Sequence, residues 1–107
     1  SLAAGHRVSN APGAISICDS VLAPTPGELT FEINREHLTG ALSVTDDEVI
    51  EAMRTAFRDL GLVAEPGGSV ALAAVLAGRL PLEGRTVAVT LSGSNIDLAS
   101  ALRWMGA

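Results

Sequence analysis

The groups able to do chemistry fall in a few short stretches. At 87–97 the apolar run Val87-Ala88-Val89-Thr90-Leu91 ends in Ser92-Gly93-Ser94-Asn95, then passes through Ile96 and Asp97 into a second apolar segment. This reads as a buried strand, a tight turn and a helix start. Ligands of open α/β sheets bind in the crevice beyond the carboxyl ends of strands, and Ser92 stands at such a point. Spacing alone makes this a weak signal, since an ordinary strand-to-helix turn has the same pattern. Glu65 is a second candidate. It lies between the apolar link Leu62-Val63-Ala64 and the turn Pro66-Gly67-Gly68, directly before an apolar helix. Stabilisation of that helix's dipole accounts for it equally well. His6 and His37 are far apart, with no Cys or acid at ligand spacing, and read as surface residues rather than metal ligands. Cys18 reads as a small buried apolar residue. The acids Asp46-Asp47-Glu48 are explained by a helix cap, not by a metal.

The elements that must position these groups follow from periodicity. Residues 1–14 read as loop, with a remnant of helix at Leu2-Ala3-Ala4. Ile15 to Ala23 reads as a short helix or turn, stopped by Pro24-Thr25-Pro26-Gly27. Glu28 to Leu38 fits a strand through Leu29, Phe31 and Ile33, and a helix through Leu29, Ile33 and Leu38. Ala41 to Thr45 reads as a strand. Thr45 with Glu48 forms a capping box, and Val49, Ile50, Met53, Phe57 and Leu60 follow at helical spacing up to Gly61. The helix spans roughly 46–60. Ser69 is placed to cap a helix from Val70 to Leu80, apolar nearly all round and therefore buried on most sides. Arg85 to Leu91 reads as a strand of a parallel sheet covered on both faces. Asp97 caps a last helix through Leu98, Leu102 and Trp104. The alternation makes an α/β pattern, but two strands are a poor sheet.

Composition points the same way. A chain of 107 residues holds at most one domain. The apolar fraction is 48% and the charged fraction 18%, below the roughly 25% typical of soluble domains. So interior-like a chain is expected to pack against something else. The net charge of −5 with no basic cluster argues against nucleic-acid and anionic-membrane partners. No apolar run approaches the ~20 residues of a membrane span. A single Cys fits a reducing, cytoplasmic setting. All seven basic residues are Arg, so the sequence has no lysine. It starts at Ser1 inside a loop, and the expectation is a piece of a longer chain.

Glu65-Pro66-Gly67-Gly68-Ser69-Val70-Ala71-Leu72-Ala73-Ala74 and the stretch 87–97 together resemble the C-terminal part of threonine dehydratases and serine racemases. Ser1-Leu2-Ala3-Ala4-Gly5, Ser16-Ile17-Cys18-Asp19, Pro26-Gly27-Glu28-Leu29-Thr30-Phe31 and Thr45-Asp46-Asp47-Glu48-Val49 resemble segments of the same family, in the same order. The resemblance implies the tryptophan-synthase-β-like fold of type II pyridoxal-phosphate enzymes. Residues 1–107 would be part of the larger, C-terminal domain, helices around part of a parallel sheet, with no complete independent domain. It implies that Ser92 bonds the pyridine nitrogen of the cofactor, that Gly93 and Glu65 lie beside the cofactor, and that Asp19 faces the substrate. Ser94 departs from the family's usual Gly and would be strained if that position needed positive φ.

The implied reaction is β-elimination from threonine or serine, giving a 2-keto acid and ammonia. Serine racemase and 3-hydroxyaspartate dehydratase are close alternatives, and a non-catalytic ligand-binding module is a more distant one. The family's Schiff-base lysine has no counterpart in a sequence without lysine. The expectation is therefore a fragment with no catalytic residue of its own and inactive alone. Its partners would be the N-terminal portion, which brings the lysine, the phosphate-binding loop, the metal-binding acids and most of the sheet, and a small amino-acid substrate. The complete enzyme would be a homo-oligomer.

Overall fold

One helix forms the centre of the molecule, and local chemistry sets both its ends. In the computed structural model, which describes residues 1–106, α2 is preceded by two bonds of a capping box. The Glu48 amide donates to the Thr45 hydroxyl (3.2 Å), and the Thr45 amide donates to the Glu48 carboxylate (2.8 Å). The helix spans Asp46–Leu60, and Gly61 ends it with φ 67°, a left-handed conformation that glycine adopts without penalty. Val49, Ala52, Met53 and Ala56 are its buried stripe.

The ambiguous stretch after the Pro-Thr-Pro-Gly stop is helical, as α1 (Glu28–His37). The helical turn carries Phe31 inward and leaves Leu29 and Ile33 exposed, whereas a strand would have put all three on one face. Before it, Ile15 to Ala23 holds a single 3₁₀ turn, Asp19–Val21. α3 (Val70–Leu76) is shorter than the 70–80 expected, because Ala77 already leaves helical geometry and Gly78 takes φ 67°. Nor is it buried on most sides. Ala73 and Ala74 are buried, Val70, Leu72 and Val75 are half-buried, and Leu76 is exposed. α4 (Leu98–Met105) starts as expected, the Ser100 amide donating to the Asp97 carboxylate (3.0 Å). Hydrogen bonds from the Ser100 side chain and amide hold that carboxyl below its ordinary pKa.

Both α3 and α4 pack on α2. Cys18, Val49, Ala52, Met53 and Ala73 are the buried cluster between them, edged by Ile17, Val44, Leu72, Ile96 and Trp104. Alanines on the facing sides pack with one large, fully buried side chain, Met53. Arg54 Nε donates to the Trp104 carbonyl (3.0 Å), tying α2 to the end of α4. Arg79, after α3, pairs with Glu48 at the start of α2.

The expected strands do not form among the described residues, neither at 41–45 nor at 85–91. A strand needs a neighbour to pair its amides and carbonyls. Here Leu42 and Val44 of one segment and Val87 and Val89 of the other line an apolar groove with Val70 and Val75 of α3, and they do not ladder with each other. The alternation of side chains is present, and among the described residues the ladder is not. No helix among the described residues is long and apolar enough to cross a membrane.

Because α2 carries the whole packing, its cap is the sensitive point. Thr45→Ala is expected to cost about 1 kcal/mol of stability, with Thr45→Ser keeping most of it, measured as the shift in a urea unfolding midpoint. The Thr45 amide, and after it Arg79, depress the Glu48 carboxyl. A carboxyl with a folded-state pKa below its unfolded value stabilises above the unfolded pKa and loses that contribution as pH falls through the folded one. The cap contribution of Glu48 is therefore expected to fade on acidification below the ordinary glutamate range, and Glu48→Gln to flatten that part of the profile.

Candidate functional site

The two candidate turns meet face to face. The first begins at Glu65. Pro66 fixes the entry, and Gly67–Ser69 form one 3₁₀ turn closed by the Ser69 amide on the Pro66 carbonyl (3.0 Å). Ser69 is 0% exposed. Its hydroxyl donates back to the Glu65 carbonyl (3.0 Å) and makes no cap bond to α3, a correction to the capping role expected of it. The reason is geometric: with Ser69 already in a helical turn, its side chain faces the preceding carbonyl rather than the amides ahead. The second turn is Ser92-Gly93-Ser94-Asn95, where Gly93 has φ 72°. No other residue type takes positive φ among the described residues, so Ser94 carries none of the strain its departure from Gly suggested.

Three hydrogen bonds stitch the turns. The Glu65 amide donates to the Gly93 carbonyl (2.9 Å), the Ser92 amide to the Gly68 carbonyl (3.3 Å), and the Asn95 amide to Glu65 Oε2 (3.2 Å). Two glycines make this approach possible. A Cβ on Gly68 would overlap the Ser92 carbonyl, and a Cβ on Gly93 would overlap the Glu65 carboxylate. Side chains at either position would drive the turns apart.

The structure thus brings Ser92, Gly93 and Glu65 into one unit, from which two clefts open. Ser92 and Gly93 line the first with Leu62, Val63 and Ala64. Glu65 lines the second with Asp19, Asn95, Ile96, Asp97 and Trp104, about 240 Å³ in volume. Asp19 therefore joins Glu65 but not Ser92, and the Glu65 turn is the wall between the clefts. Gly68 and Trp104 were missed as site-forming residues. A glycine needed for close approach at negative φ leaves no trace in a single sequence beyond the Gly-Gly pair itself. Trp104, the only tryptophan, carried one signal, its rarity in this chain.

The other candidates stay outside. Cys18 is buried, and burial pushes its thiol pKa up, away from the reactive thiolate. His6 and His37 are both exposed. No group of three or more His, Cys, Asp and Glu converges in metal-holding geometry among the described residues.

The sequence model of the family described as "Pyridoxal-phosphate dependent enzyme" matches residues 1–93. The chain belongs to this family. Pyridoxal phosphate is the family's cofactor, and the family is the fold type II group. An L-threonine ammonia-lyase of Thermotoga maritima is 33% identical over 92 residues, covering 86% of this chain and 23% of the relative. The crystal structure of a T.th. threonine deaminase superposes with a TM-score of 0.81 at 38% identity, over 91% of this chain and 32% of that one. Serine racemase from Dictyostelium discoideum gives 0.79 at 31% identity, over 91% and 31%. The chain spans between about a quarter and a third of the length of these relatives.

The stitch makes one of two neighbouring positions sensitive and leaves the other tolerant. Gly93→Ala combines positive φ with a clash on Glu65 and is expected to cost on the order of 2 kcal/mol. Ser94→Gly is expected to change stability by less than about 1 kcal/mol, because Ser94 has no strain to relieve. Denaturant midpoints of the two variants measure the contrast.

Proposed function

We propose that this chain forms one wall of the active site of a pyridoxal-phosphate-dependent threonine/serine dehydratase, which eliminates the β-hydroxyl and releases a 2-keto acid and ammonia. The observation that carries the reading is the stitched pair of turns, which holds an exposed serine and a braced glutamate on the two sides of one wall in a chain of this family. Similarity to a threonine ammonia-lyase and a threonine deaminase supports the substrate class.

The donor set fits the cofactor. Ser92 offers a neutral hydroxyl, which can hydrogen-bond the ring nitrogen without forcing a proton onto it. The cofactor supplies the electron sink that lets a proton leave the α-carbon and a hydroxyl leave the β-carbon. A neutral partner gives a weaker sink than a carboxylate, sufficient where the leaving group is already on the β-carbon. Gly93 keeps the turn in the one shape that leaves Ser92 at its rim. Glu65 holds that shape through Asn95 and stands beside the cofactor, and Asp19 faces the substrate from the second cleft. This chain has no lysine. The covalent anchor for the cofactor and the base for the α-proton come from another segment, and the chain alone is inactive.

A serine racemase is the second reading, favoured by the 0.79 superposition on the Dictyostelium discoideum enzyme. Both readings use the same wall, and the product separates them.

The test is assembly. The chain is co-expressed with the family's lysine-bearing portion, and the Schiff-base absorbance and keto-acid release from threonine and serine are followed. The assembled pair is expected to show both, the isolated chain neither. Ser92→Ala is expected to lower turnover and cofactor affinity by about tenfold, the loss of one hydrogen bond to the ring. Unchanged turnover and affinity in Ser92→Ala would remove Ser92 from the site. Release of D-serine without keto acid would favour the racemase.

A further inference from the structure

The carboxylate of Asp46 has a use that the helix cap does not explain. The capping box is made by Thr45 and Glu48, and Asp46 takes no part in it. Its half-buried carboxylate instead reaches the loop before the 3₁₀ turn. Ser16 Oγ donates to Asp46 Oδ1 (2.6 Å), and the Ile17 amide donates to Asp46 Oδ2 (3.1 Å). The Cys18 amide in turn donates to Ser16 Oγ (3.0 Å). Both carboxylate oxygens and the serine hydroxyl are thereby committed to three consecutive residues. The next residue is Asp19.

Downstream the same loop is fixed twice more. The Cys18 side chain is buried among Val49, Ala52 and Met53. Ser20 packs against Gly67, where a Cβ would overlap its hydroxyl. The loop is held at its start by α2, at Cys18 by the core and at Ser20 by the Glu65 turn. Between these anchors Asp19 is exposed, and with Ile17 it lines the cleft shared with Glu65 and Asn95.

We propose that Asp46, acting through Ser16, is a positioning residue that sets Asp19 opposite Glu65 in the second cleft. The proposal rests on the substrate-side role of Asp19 in the reading above. A carboxylate is suited to the task because it accepts two donors at once. An asparagine has one acceptor oxygen for the same two donors. Its place in the first turn of α2 also suits a negatively charged side chain, which the helix dipole favours at that end.

The experiment uses the assembled, cofactor-loaded enzyme. Asp46→Ala and Ser16→Ala are each expected to lower kcat/KM by roughly tenfold and to raise amide hydrogen exchange at 17–20 by a similar factor. Ser16→Thr keeps the hydroxyl and is expected to restore both. Asp47→Ala removes a neighbouring exposed acid from the same helix turn without touching the loop, and is expected to leave both unchanged. On an Asp19→Asn background, Asp46→Ala is expected to add less than about twofold, since the two act through one group. Faster exchange at 17–20 with kcat/KM unchanged in Asp46→Ala overturns the positioning role and leaves the proposed function standing. A full additional tenfold on the Asp19→Asn background overturns it too. Asp19→Asn with unchanged kcat/KM removes Asp19 from the site, and the positioning role with it.

Discussion

The interlock of two turns is the constraint on which the structure depends. At Gly68 against Ser92, and at Gly93 against Glu65, backbone meets backbone or carboxylate with no room for a Cβ. Each turn leads directly into a helix, the first into α3 and the second, through Ile96 and Asp97, into α4. Fixing the turns therefore fixes the origins of two helices. α2 packs against both and holds the arrangement from behind. The polar groups brought close by the interlock are paired with one another, as burial requires. The Ser69 hydroxyl, fully buried, belongs to this pairing rather than to α3.

The helices and the groove beside them show two degrees of self-sufficiency. α2, α3 and α4 bury a small alanine-rich cluster and satisfy their own backbone bonds. The segments 41–45 and 85–91 have alternating apolar side chains but no ladder. Unpaired alternating segments of this kind are what part of a sheet presents when the strands that would pair with them lie elsewhere. Under the proposed function, a segment that supplies the lysine would also have this groove to pack against.

Features set by neighbours in sequence were legible, and those set across distance were not. The capping box, the Gly61 stop and the Asp97 cap each depend on residues within four positions, and all appear as read. Over Glu28 to Leu38 the periods of 2 and 3.6 coincide for the few apolar residues present, so the pattern alone had no answer there. α3 overran its end because Ala77 continues the apolar run and only Gly78 marks the stop. The acids at 46–48 looked fully used by the cap, yet Asp46 bonds residues about thirty positions away. The contact between the turns spans a similar distance, and no local pattern records it. Ser92 and Glu65 stood out by their place in the sequence and gained their roles from family resemblance, which alone singled out Gly93 and Asp19. Their grouping into a stitched unit and two clefts came only with the fold.

Glu65 joins the two levels. Its Oε2 accepts from the Asn95 amide, and its carboxylate rests where a Cβ on Gly93 would be. Bracing a turn and lying beside a cofactor are usually weighed as rival explanations of a conspicuous glutamate. Here the same position supports both. A carboxylate has two oxygens with about four acceptor sites, and one amide occupies only one of them. The brace holds the side chain at the edge of the second cleft and leaves most of its acceptor capacity uncommitted to the Asn95 amide. A group whose rotamer is locked by a structural bond is also better placed to act than one free to turn, because its ordering cost is met on folding rather than on binding. The brace seen in the structure therefore favours the cofactor-side role proposed for Glu65 rather than competing with it.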